Sequence, residues 1–279
     1  MANIKIHVFH CGKVCVAPDI PFGGEKTNII KASGLLTPKD KRLWLPVSAY
    51  LIEYENYKIL VDTGWSREIS PQGVYDKKAQ IKHMSRILYK INQAIIPKGQ
   101  TIDEQLKNIG IQSQDIDYVL LTHLDCDHVS GIKTLKNAKH ILVSKDEVKC
   151  AQKNRLRYTK TMWEGINLEQ FNFKDTNDGP FHKSYDLLGD GVIKLINIPG
   201  HSDGLFAVKI TYNNKYVLLF SDGGYASKSW KEMILPGISM DKEKQYKSLQ
   251  WIRDMSLNEN CIESLANHDS DIKPHIITF

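Results

Sequence analysis

Most of the marks of a specialised environment are missing from this chain. No stretch approaches the roughly 18 consecutive apolar residues of a membrane span. There are only five cysteines, Cys11, Cys15, Cys126, Cys150 and Cys261, and an odd number at irregular spacing is not a disulfide framework. Cys11 and Cys15 have no second pair nearby to complete a zinc knuckle. No internal repeat, low-complexity tract or Pro/Gly-rich linker divides the 279 residues, so one domain over 1–279 is expected. The net charge of +5 comes from 37 basic and 32 acidic residues mixed along the chain. That balance tolerates an anionic substrate but lacks the clustered basic face of a nucleic-acid binder. The start alternates Ile4, Ile6 and Val8 with polar residues, a strand pattern rather than the apolar run of a signal peptide. Reduced thiols and these absences together give the expectation of a cytoplasmic protein without membrane or nucleic-acid partners.

The remaining residues pattern into mixed elements. Strands are expected at 4–9, Val47 to Glu53 and Tyr57 to Val61, the last two joined by a turn at Glu55-Asn56. A long loop is expected over about 17–43. Ile81, Met84, Leu88, Ile91 and Ile95 recur at three- and four-residue steps and predict a helix over 78–95. A second helix follows at 102–108, capped by Thr101 or Asp103. Tyr118 to Leu121 and His140 to Val143 read as buried strands, and Lys145 to Gln152 as a helix. Residues 153–180 have no period. Strands return at 192–197, 205–211 and 215–220, and a helix over 241–255 has Asp241 as its N-cap. Interspersed strands and helices without a break point to one layered α/β or α+β fold.

The chemistry concentrates in Thr122-His-Leu-Asp-Cys-Asp-His-Val-Ser-Gly131. His123, Asp125, Asp127 and His128 put four ligand-type side chains just after a buried strand, where open α/β sheets place their ligands. Imidazole and carboxylate suit zinc, iron and manganese. His123 and Asp125 alternate, so an extended loop aims both at one point; Asp127 and His128 are adjacent and serve a second. Two metals about 3.5–4 Å apart then share one water. The competing reading is a polar loop in which Asp127 caps a helix. Three further candidates interrupt apolar strands: His201 after Pro199-Gly200, Asp222 after Phe220-Ser221, and His268 after Ala266-Asn267. Each alone reads as a structural hydrogen-bonder. Together they supply the ligands that two metals would still lack.

His123-x-Asp125-x-Asp127-His128, His201 in a Pro-Gly-His turn, Asp222 and then His268 resemble the ordered motifs of the metallo-β-lactamase superfamily. Asp62 in Leu60-Val-Asp-Thr-Gly64 matches its early Asp-x-Gly element. The resemblance runs from about residue 4 to 275. It implies an α+β fold, the four-layer αββα sandwich, with metals at one edge of two packed sheets. Within the superfamily the chain is similar to the N-acyl homoserine lactonase-like proteins. Tyr225 stands three residues after Asp222, and His7-Val-Phe-His-Cys-Gly12 and Trp44-Leu-Pro-Val-Ser-Ala-Tyr50 resemble that group.

The resemblance implies two divalent transition-metal ions. One would see His123, Asp125 and His201, the other Asp127, His128 and His268, with Asp222 between them. Asp62 would orient a ligand rather than touch metal. The superfamily pattern has histidine where this chain has Asp125; some diiron members have glutamate there. A carboxylate makes that position harder and favours iron or manganese over zinc. The implied reaction opens a lactone or related ester by a metal-bridging hydroxide. Tyr225 would stabilise the oxyanion and Asp127 relay the proton. The competing reading of Tyr225 is a packing residue at the start of a helix. Alternatives to a lactonase are a glyoxalase II-type thioester hydrolase, which usually lacks that tyrosine, and a diiron oxygen or nitric-oxide reductase, for whose flavin domain the chain has no room. A purely structural metal clamp would be coordinatively closed, whereas seven ligands around two metals leave space for water. Trp65, Tyr158, Trp163 and Trp230 are candidate pocket residues but read more simply as core or surface. Residues 153–163, with Lys153, Arg155, Arg157 and Lys160, read as a solvated loop in preference to a lid over the site.

Overall fold

A computed structural model describes residues 4–279. Two sheets are formed by strands β1 (Lys5–Val16), β2 (Leu43–Tyr54), β3 (Tyr57–Val61), β4 (Gln93–Ile95), β5 (Tyr118–Leu121), β6 (His140–Ser144), β7 (Glu169–Phe171), β8 (Lys174–Asp175), β9 (Lys183–Asp186), β10 (Ile193–Asn197), β11 (Phe206–Tyr212), β12 (Lys215–Leu219), β13 (Cys261–Leu265) and β14 (His275–Thr278). The first sheet runs β14-β1-β2-β3-β5-β6-β7, with β4 pairing to β1; the second runs β13-β12-β11-β10-β9-β8.

Strand residues point alternately to the two faces of a sheet, and both sheets use this. Ile6, Val8, Tyr50, Ile52, Ile59, Val61 and Leu120 of the first sheet pack against Leu195, Phe206, Val208, Val217, Leu219 and Leu265 of the second in one buried cluster. The alternate residues of the first sheet, among them Val47, Ala49, Leu51, Leu60, Val119 and Leu121, join Met84, Leu88, Leu106 and Cys150 from the covering helices. On the far side of the second sheet, Ala207, Leu218 and Phe220 meet Trp230, Leu249 and Ile252. The fold is therefore the expected αββα sandwich.

Several local expectations change. β1 continues to Val16, because a register shift between His10 and Lys13 absorbs the break in alternation at Gly12. The stretch 17–43 carries two one-turn helices, Asp19–Phe22 and Ile29–Ala32, and its end already belongs to β2. The helix expected over 78–95 is two, Lys77–Met84 and Arg86–Ile91, followed by β4. Ser85 separates them at φ 86°, its hydroxyl accepting from the Leu88 N–H at 3.4 Å. The unassigned 153–180 holds a 3₁₀ turn at Lys160–Met162 and the short strands β7 and β8. Thr101 stands at the N-cap of Ile102–Asn108, its N–H donating to the Glu104 carboxylate at 3.2 Å, and Asp241 caps Lys242–Leu257 through the Lys244 N–H at 3.0 Å.

Trp65, Tyr158 and Trp230 are buried in the apolar clusters, and Trp163 packs half-buried against one of them.

Candidate metal centre

The site is built from strand ends. β3 and β5 pair in parallel, as do β12 and β13, so their C-terminal ends emerge side by side. Asp62 follows β3, His123 follows β5, His201 follows β10, Asp222 follows β12 and His268 follows β13. Asp125 stands at the N-cap position of the short helix Cys126–Val129, which carries Asp127 and His128. The Asp125 side chain makes no capping hydrogen bond and Asp127 lies inside the helix, so the simple helix-cap reading of this loop does not hold.

Backbone contacts fix these loops closely. The Thr63 N–H and hydroxyl both donate to the His128 carbonyl at 2.8 Å. Gly64, at φ 62°, runs so close to β1 that a Cβ would lie 2.2 Å from that of Cys11. Gly200, at φ 138°, lets the His201 turn approach the helix Lys242–Leu257, where a Cβ would meet the Gln245 nitrogen at 2.3 Å. Both positions need glycine for conformation and for space.

All seven sequence-expected ligand residues come together. Three sets can each present ligand atoms to one point: His123, Asp125 and His201; His123, His128 and Asp222; and Asp127, His128 and His268. Asp222 lies between them. Its Oδ1 is 3.4 Å from His128 Nε2 and 3.2 Å from His268 Nε2, while its Oδ2 is 3.6 Å from His201 Nε2 and 3.9 Å from His123 Nε2. Asp127 Oδ2 is 3.6 Å from His268 Nε2. Ligand atoms about 2.0–2.2 Å from a tetrahedral metal lie roughly 3.3–3.6 Å from one another, so these separations fit a shared cation.

Unpartnered atoms support that fit. His123 Nε2, His128 Nε2, His268 Nε2 and Asp222 Oδ1 are buried without a hydrogen-bond partner in the protein. Such orphans are costly and call for an ion or water. Their outer nitrogens are held: His128 Nδ1 is 2.8 Å from Asp62 Oδ2, His268 Nδ1 donates to the Pro46 carbonyl at 2.8 Å, and His123 Nδ1 is 3.1 Å from the Thr122 hydroxyl. This arrangement orients imidazoles toward a metal. Asp62 is fully buried, at φ 58°, and also accepts from the Thr122 N–H and hydroxyl and from the Asn267 amide.

Tyr225 lies over both halves of the centre. Its ring stacks on His268 at 5.2 Å and meets His201 edge-on at 6.2 Å. Burial, then the carboxylates of Asp222, Asp125 and Asp127, push its phenol well above the ordinary value, so it stays a protonated donor.

Arg157 is the principal residue that sequence reasoning placed elsewhere. Rather than facing solvent, it forms a two-pronged pair with Asp125: Nε donates to Oδ1 and Nη2 to Oδ2, both at 2.7 Å. Burial would raise the Asp125 carboxyl, but this guanidinium, with the imidazoles of His123 and His201 close by, holds it well below the usual range. Asn267 and Thr122, which support the ligands, were also missed. Their only signal was adjacency to His268 and His123.

The family model of the metallo-β-lactamase superfamily matches residues 42–266. The N-acyl homoserine lactonase AttM of Agrobacterium fabrum is 27% identical over 237 residues, covering 81% of this chain and 83% of that one. An N-acyl homoserine lactonase of Bacillus thuringiensis is 27% identical over 248 residues, covering 87% and 89%. A solved structure of the B. thuringiensis protein AiiA with N-decanoyl-L-homoserine at its active site superposes with a TM-score of 0.75 at 22% identity, over 97% of this chain and 95% of that one. With the family model spanning most of the sequence and the motif residues gathered at one sandwich edge, the chain belongs to the metallo-β-lactamase superfamily.

Proposed function

We propose that this protein is a metal-dependent hydrolase that opens a lactone or related ester. The observation that carries the reading is the convergence of unpartnered imidazole nitrogens and a carboxylate oxygen beneath the Tyr225 ring. The lactonase names of the relatives, and the acyl-homoserine in the active site of one structural neighbour, support the substrate class.

Asp127, His128, His268 and Asp222 would hold a divalent ion. Two nitrogens and two hard oxygens suit zinc, manganese or iron. Such an ion acidifies a water towards neutral pH and acts as a Lewis acid. The resemblance implies a second ion at His123, Asp125 and His201, a position that Arg157 contests. Around the centre, the Tyr225 hydroxyl donates to the carbonyl oxygen of the substrate as charge develops on it. Asp127, the partly accessible carboxylate of the set, would take the proton that the attacking water gives up and relay it to the leaving alkoxide. Asp62 keeps the His128 imidazole in one tautomer, with Nε2 free to bind metal. The partner is a small molecule. No helix among the described residues is long and apolar enough to cross a membrane, and the five unpaired cysteines fit a reducing, cytoplasmic setting.

The test separates lactone from thioester hydrolysis. Tyr225→Phe removes one hydroxyl and little volume, so fold and metal content should be unchanged. Lactone turnover should fall about 10²-fold, as for loss of one oxyanion donor. The loss should appear in kcat more than KM, because the bond strengthens only as charge builds. Unchanged lactone turnover, or turnover of thioesters alone, removes the reason for preferring a lactonase.

A further inference from the structure

The two halves of the centre are not equivalent. In the half formed by Asp127, His128 and His268, the inward nitrogens of both histidines and Asp222 Oδ1 have no partner in the protein. In the half formed by His123, Asp125 and His201, two of the three inward groups are already engaged. Arg157 Nη2 lies 2.7 Å from both Asp125 Oδ2 and His201 Nε2, while Nε donates to Asp125 Oδ1 at 2.7 Å and Nη1 to the His201 carbonyl at 2.8 Å. An imidazole nitrogen has one lone pair. If it accepts an N–H from the guanidinium, it does not also bind a metal.

Surrounding groups hold the guanidinium in place. The Arg157 side chain is only 15% exposed and stands 5.1 Å over the Tyr158 ring, itself buried. A planar fork matched to a carboxylate is the strong, orienting form of an arginine ion pair. The outer side of His201 is different too. His128 and His268 have their Nδ1 atoms fixed by Asp62 and by the Pro46 carbonyl, whereas His201 Nδ1 is buried with no acceptor. Metal-binding histidines normally have that second partner. Asp125 and Arg157 thus form a matched pair, in which a carboxylate stands where the superfamily pattern that the sequence resembles would have histidine and a cationic side chain neutralises it.

We propose that the Arg157 guanidinium replaces one of the two metal ions, and that the protein holds a single transition-metal ion at Asp127, His128, His268 and Asp222. The proposal rests on reading the centre as a metal site but not on the substrate assigned to it.

Metal counting tests it. The full-length protein is reloaded with excess Mn²⁺, freed of unbound ion, and measured by plasma mass spectrometry and electron paramagnetic resonance. The wild type should hold about one ion per chain and give the spectrum of an isolated Mn²⁺. Arg157→Gln should take up a second ion and give a spin-coupled pair, since metals sharing a bridging group lie about 3.5–4 Å apart. The double variant Asp125→His with Arg157→Gln, which leaves no buried carboxylate unpaired, should also hold two and covers the case in which the single variant fails to fold. Two coupled ions in the wild type overturn the proposal. So does a double variant that still binds one, because the guanidinium would then not be what excludes the second. A wild type that binds none overturns both this proposal and the metal-dependent reading. One ion with no lactone turnover supports the inference while sinking the lactonase assignment.

Discussion

Asp222→Asn should lower kcat/KM by about 10³-fold while leaving the fold in place. Asp222 is the group that both halves of the centre share, with Oδ1 within 3.4 Å of His128 and His268 and Oδ2 within 3.9 Å of His201 and His123. Burial alone would raise its carboxyl, yet His268 and His128 hold it well below the ordinary range, so it is an anion in the folded protein. Asparagine preserves its shape but supplies one neutral oxygen and an N–H₂ that faces the ion or a histidine. Losing a Lewis acid costs several kcal/mol of transition-state stabilisation, and about 4 kcal/mol corresponds to roughly 10³-fold. Steady-state kinetics on a lactone, with metal content measured on the same sample, checks this. Full metal occupancy and unchanged turnover in the variant would remove Asp222 from the centre.

Asp62→Asn should separate support from ligation. Asp62 touches no ligand atom of the inner face. It accepts from Thr122, Asn267 and His128, all buried. The side-chain amide of asparagine would set a donor against the donors of Asn267 and His128, and an unsatisfied buried donor costs about 1–3 kcal/mol. With the charge also lost, stability should fall by about 2–4 kcal/mol in urea unfolding. Metal affinity should drop about 10- to 100-fold, as for other outer partners of metal-binding histidines. Asparagine tolerates the left-handed backbone at this position as readily as aspartate, so the loss reports the hydrogen bonds and not the chain geometry. A variant as stable as wild type with unaltered metal affinity contradicts this role.

These expectations rest on residues of unequal visibility in the sequence. His123, Asp125, Asp127 and His128 were legible because they crowd one loop after a buried strand. His201, Asp222 and His268 were legible as polar breaks at the ends of apolar strands. Many of the strands and helices followed from period-2 and period-3.6 patterns, while their αββα layering followed from the family resemblance. Arg157 was not legible. Its partner Asp125 is 32 residues away, His201 is 44 away, and its own segment has no period and several basic neighbours. A basic cluster in an aperiodic stretch is usually solvated, and only the fold turns one of its members inward. The break at Ser85 was hidden for a related reason. Ile91 packs against the same core as Met84 and Leu88, so the apolar spacing continues through two helices that the backbone separates. Trp65 and Trp230 show the opposite case, where the simpler reading of large aromatics as core holds.

Metal-dependent lactone opening is the central claim, and proton release on an N-acyl homoserine lactone by stripped and reloaded protein tests it most directly. The protein is cleared of metal by chelation and confirmed folded by circular dichroism. It is then titrated with zinc or manganese while turnover and bound metal are followed together. Turnover should be absent from the stripped protein and rise in proportion to the ion bound. Lactone opening that persists without metal, or loaded protein that opens no lactone, would contradict the account.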